Sequence, residues 1–110
     1  MDLNQLKGYG IDFQASSYED EQIFITDLKD FIRSYEFMRL GQSINHKQWQ
    51  AAGMKIQKMS KKAKELGITG WELQFRGLRQ VIASKNQKEA LQILSTVITK
   101  RVKVIEILKL

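Results

Sequence analysis

Between Trp49 and Gly67 the chain reads WQAAGMKIQKMSKKAKELG, with apolar residues at Trp49, Ala52, Ile56, Met59, Ala63 and Leu66. Steps of three and four residues put these six on one face of an α-helix, because side chains on successive turns then lie one above another. The opposite face carries Lys55, Lys58, Lys61 and Lys62. One stripe is therefore a candidate core surface and the other faces water.

Similar patterns flank this helix. Ser16 with Glu19 is a capping-box pair, in which each side chain satisfies the other residue's free backbone N–H. Glu19, Asp20 and Glu21 then place negative charge in the first turn, where the helix dipole favours it. Phe24, Leu28, Phe31, Tyr35 and Met38 follow at helical spacing and predict one long helix over 18–44. Gly41 is its weak point, costing roughly 1 kcal/mol relative to alanine. The first fifteen residues read as irregular, with Gly8 and Gly10 bracketing Tyr9.

Asn45 and His46 supply a turn into the second helix, over 47–66, and Gly67 ends it in the way a C-terminal glycine does. Thr69 and Glu72 form a second capping box and open a helix over 70–83 with Trp71, Phe75, Leu78 and Ile82 on one face. Asn86 and Glu89 open the last helix, over 87–108, which carries Ala90, Leu94, Val97, Arg101 or Val102, Ile105 and Leu108. Four amphipathic helices with short links imply antiparallel neighbours. The expected fold is all-α, an up-down four-helix bundle in a single domain over 1–110, with the N-terminal segment across one end. Both tryptophans are expected in the core or at its rim.

Composition fits that architecture. The chain has no proline to interrupt a helix, and its 43% hydrophobic and 27% charged content is ordinary for a globular domain. Without cysteine it can form neither disulfides nor thiolate metal sites. The opening MDLNQLKGYG has no basic cap or apolar run of a secretory signal, and no apolar stretch approaches the ~20 residues of a membrane span. A soluble cytoplasmic domain is expected.

The net charge of +6 conceals a split: residues 1–45 hold four Lys/Arg against eight Asp/Glu, whereas residues 46–110 hold fourteen against four. Such asymmetry steers an anionic partner towards one side of the molecule. Nucleic acid fits poorly, because the basic half has only three arginines and no aromatic-plus-arginine reading surface.

With Trp49, Met59, Ala63, Leu66 and Gly67 in register, the central stretch resembles the key helix of histidine phosphotransfer (Hpt) domains. These are the four-helix relay modules of bacterial multistep phosphorelays, and their helix usually reads H-x-L-K-[GS]-x-A-x-x-L-G, often with a tryptophan eight residues before the histidine. The Gly10-Ile11-Asp12 entry, the acidic start at 19–21, Leu28 with Phe31, and the turn before Glu89-Ala90 extend the resemblance over nearly the whole chain. It implies a receiver domain or histidine kinase as partner and no cofactor.

The resemblance also places the phosphoacceptor histidine at Gln57, the family lysine at Ser60 and its small residue at Lys61. A glutamine amide is no nucleophile, since its nitrogen lone pair is delocalised into the carbonyl. The expected function is thus a non-catalytic module that binds without accepting phosphate, through a docking face of Lys55, Gln57, Lys58, Ser60, Lys61 and Lys62. His46, the only histidine, lies eleven residues before Gln57, ~16 Å away along a helix, and reads as an exposed turn residue. Alone, it makes no metal site. Ser60 and Ser95 have no histidine partner at a plausible spacing, and no phosphate-cradling glycine loop occurs, so no enzyme is expected. The alternative is a general helical interaction or oligomerisation domain, with nucleic acid as one conceivable anionic partner.

Overall fold

A computed structural model describes residues 3–110, which hold six α-helices and, among the described residues, no β-strand. They are α1 (Leu3–Lys7), α2 (Glu21–Arg33), α3 (Glu36–Asn45), α4 (Trp49–Glu65), α5 (Glu72–Ala83) and α6 (Gln87–Leu108). Single 3-10 turns lie at Phe13–Ala15 and Thr69–Trp71. α4 packs on α3 and α5, α6 packs on α3 and α5 from the other side, and α2 leans on α6. Short links join successive helices from α3 to α6.

The apolar stripes converge as their spacing predicts. Ala52, Ile56, Met59 and Ala63 of α4 meet Phe75, Leu78 and Ile82 of α5 and Ala90, Leu94 and Val97 of α6 in one buried cluster. Trp71 is fully buried at its centre, edge-on to Phe37 at 6.4 Å and tilted against Phe75 at 6.3 Å. Trp49 sits at the rim, partly buried against the core.

The expected helix over 18–44 is two helices. Ser34 is extended (φ −63°, ψ 151°), and α2 stops at Arg33 before α3 restarts at Glu36. Neither glycine nor proline causes this break. It is held from α6, where the Arg101 Nε donates to the Ile32 carbonyl at 2.7 Å and the guanidinium lies 5.0 Å from the Phe37 ring centroid. Burial lowers the Arg101 pKa from its ordinary value. The restart rotates the buried face to Phe37, Leu40 and Ile44, leaving Tyr35 70% and Met38 55% exposed rather than in the predicted stripe.

Several helix ends also differ from the sequence reading. α2 is capped by Asp20, whose carboxylate accepts from the Gln22 and Ile23 N–H groups, while the Ser16 hydroxyl donates to the Phe13 carbonyl. Thr69 makes no side-chain cap; its turn is a 3-10 prelude, so α5 begins at Glu72. The segment expected to be irregular contains α1. At the last helix, Asn86 accepts from the Glu89 N–H at 3.1 Å, as the capping pattern predicts. Of the alternatives at the next turns of α6, Arg101 is half-buried and Val102 is 45% exposed.

α3, α4 and α5 end in the same pattern. A left-handed residue follows the helix, and the next N–H bonds back five residues: Gln48 to Ser43, Ile68 to Ala63, and Asn86 to Val81. Only one of the three left-handed positions is glycine, Gly67 (φ 67°); the others are Lys47 (φ 54°) and Lys85 (φ 59°). Because Lys47 belongs to the end of α3, α4 begins at Trp49 rather than at 47.

The N-terminal segment closes over the end of α4 through backbone contacts. The Asp12 N–H donates to the Gly67 carbonyl at 2.8 Å, Ser17 to Glu65 at 2.9 Å, and Gly70 to Gly10 at 3.0 Å. The Trp71 indole N–H donates to the Tyr9 carbonyl at 3.3 Å. A Cβ on Gly67 would overlap the Asp12 carbonyl oxygen, and one on Gly10 would meet the Gly70 Cα at 2.8 Å. This corner fixes where α4 ends and how α5 leaves it.

Candidate functional site

α4 presents its outer side to solvent because its buried residues occupy a single stripe. Gln57, Lys58, Lys61 and Lys64, spaced by one, three and three residues, form an exposed crest beside that stripe. Met54, one turn earlier, is 55% exposed. Gln57 thus stands exposed in mid-helix, and Lys58 and Lys61 beside it form no ion pair among the described residues.

The six residues expected to make one docking face are divided between two flanks of this crest. Lys55, Lys58 and Lys62 line a groove of about 540 Å³ against α2 and α3, with Phe31, Ser34, Glu36 and Met59. Gln57, Ser60 and Lys61 line a second groove, of about 390 Å³, against α5.

The flanks differ in how far their charges are neutralised within the molecule. On the first, Lys55 approaches Glu36 at 3.9 Å, and Lys62 lies 3.9 Å from Asp27 and 3.8 Å from Glu65. Lys62 also donates to the Tyr18 hydroxyl at 3.0 Å, and that hydroxyl donates to Asp27 at 2.6 Å. The Tyr18 pKa is raised, first by desolvation and then by the bond to Asp27; the Lys62 pKa is raised, chiefly by its bond to Tyr18. Lys62 is therefore a structural tie, and Lys55 is partly one. On the second flank, Lys61, Lys64 and Arg79 have no ion-pair partner among the described residues, and the groove's one acid, Glu72, faces Arg76 at 3.6 Å.

Sequence reasoning did not include Arg79, Lys64 or Thr69 in this surface. The available signal was topological: two helices that fold back on each other through residues 66–71 bring residues from either side of the turn together, and Arg79 and Gln57 line one groove. His46 lies outside α4, as an exposed residue capping the C-terminus of α3, so a continuous-helix distance from it to Gln57 does not apply.

Among the described residues, no three His, Cys, Asp or Glu side chains gather as a metal site, and no helix is long and apolar enough to cross a membrane. Compared with protein families, with curated proteins and with solved structures, the chain gives no significant match.

Proposed function

We propose that this chain is an Hpt-like four-helix module of a two-component phosphorelay that docks a receiver domain or histidine kinase in the cytoplasm without accepting phosphate. The observation that carries the reading is the exposed crest of α4. The residue standing where the resemblance puts the acceptor histidine is an exposed glutamine, flanked by Lys58 and Lys61, which have no ion-pair partner among the described residues. Such a crest suits an acidic partner surface, since complementary charge accelerates encounter. Within the expected docking face, Gln57, Lys58 and Lys61 are the contact residues, and Lys55 and Lys62 orient the helix from below.

The test is a binding titration against response-regulator receiver domains. Binding should weaken with salt, because exposed charges are screened over roughly 10 Å at 0.1 M. Lys58→Glu with Lys61→Glu should lower affinity by slowing association. Equal binding by wild type and variant would sink the docking surface and favour a general interaction domain. Incubation with a phosphorylated receiver should leave no acid-labile, base-stable phosphate on the protein, and phosphohistidine at His46 would overturn that half of the reading. Gln57→His with Lys61→Gly restores two of the three family features and should yield weak phosphate acceptance.

A further inference from the structure

We infer that the groove between α4 and α5 is a binding site for a small phosphate monoester with an apolar body. This goes beyond partner docking, since the ligand is a free small molecule and the site includes residues of α5. Its volume of about 390 Å³ suits one such molecule.

Six side chains that can donate hydrogen bonds line the groove, Gln57, Ser60, Lys61, Lys64, Thr69 and Arg79. Among the described residues, none of the six has a side-chain hydrogen-bond or ion-pair partner. Ser60 gives the sharpest indication, because its Oγ is shut off from water and has no hydrogen-bond partner. Buried polar groups are almost always satisfied, and a χ1 rotation into the groove would give this hydroxyl an acceptor.

The rest of the lining defines the ligand. Lys61, Lys64 and Arg79 outnumber Glu72, which is already placed against Arg76. Guanidinium and ammonium groups with hydroxyl and amide donors match a phosphate dianion, whose several oxygens accept more bonds than a carboxylate. Ala63, Ile68 and Phe75 form an apolar floor. That floor favours an ester over inorganic phosphate, because the organic group leaves water there.

The experiment is a backbone amide NMR titration of the full chain with phenyl phosphate, inorganic phosphate and benzoate at constant ionic strength. Phenyl phosphate should bind saturably and most tightly, with shifts confined to residues 57–64 and 68–79. Arg79→Ala and Lys61→Ala should each weaken it about tenfold, the loss of one charge-assisted contact. Ser60→Ala should weaken it less and leave the fold intact. Lys103→Ala, on a separate groove beside Gly10 and Gly70, serves as the control and should change nothing. Unsaturable shifts, shifts shared with Lys103, equal binding of benzoate, or an unaffected Arg79→Ala variant would each overturn the proposal. No partner protein is needed, so this outcome is independent of the receiver titration.

Discussion

The C-terminal corner of α4 and its exposed crest belong to one helix but are built differently. At its C-terminal corner, Gly67, Gly10 and Gly70 bring backbone against backbone, and each hydrogen bond there has a partner elsewhere in the chain. Along its crest, the side chains of Gln57, Lys58, Lys61 and Lys64 have no hydrogen-bond or ion-pair partner among the described residues. The corner has no freedom left to lose, whereas the crest keeps all of its bonding capacity for something outside. Substitutions should therefore separate cleanly: the corner should change stability, and the crest should change binding.

The largest effect should come from Gly67→Ala. It combines a left-handed backbone with a Cβ forced onto the Asp12 carbonyl, and about 4 kcal/mol should be lost in chemical denaturation. A loss below about 1 kcal/mol would mean that the corner yields easily, and the contrast with the crest would collapse.

Next comes Arg101→Met, which keeps a long apolar stem but leaves the Ile32 carbonyl without its donor. About 2 kcal/mol should be lost, with faster hydrogen exchange at residues 34–37. Unchanged exchange there would show that the break after α2 is held by packing alone.

Lys85→Gly sharpens the comparison in the opposite direction. Lys85 has nearly the same φ as Gly67, so glycine relieves strain and should add about 1 kcal/mol. If Lys85→Gly and Gly67→Ala had equal and opposite effects, backbone conformation alone would explain Gly67, and its contact with Asp12 would count for nothing. The smallest change in stability belongs to the crest. Lys58→Glu with Lys61→Glu should stay within about 0.5 kcal/mol of wild type while altering association. A large loss of stability would mean that these lysines also belong to the fold.

What could be read from the sequence was whatever local spacing determines. The stripe of α4, its glycine stop and the Asn86 cap all arise from residues a few positions apart. The break at Ser34 does not, because it depends on Arg101, far along the chain, reaching a carbonyl that a continuous helix would have used. The left-handed ends at Lys47 and Lys85 were equally hidden, since lysine has no special preference for that conformation. For the site, the exposure of Gln57 followed from the periodicity. The pairing of Lys55 and Lys62 did not, because it depends on Glu36 of α3 and Asp27 of α2 coming close, and the second groove depends on Arg79 arriving from α5.

The glycine corner also bears on how the chain acquires its shape during synthesis. The residues around Gly10 and Asp12 leave the ribosome well before Glu65, Gly67 and Gly70, where the groups they bind lie. They must wait, unsatisfied, until those later residues have been made, and such distant pairings close late because joining the ends of a long loop costs entropy. The N-terminal segment then acts as a latch on a body already assembled. Loosening it by Gly10→Ala should speed unfolding far more than it slows folding.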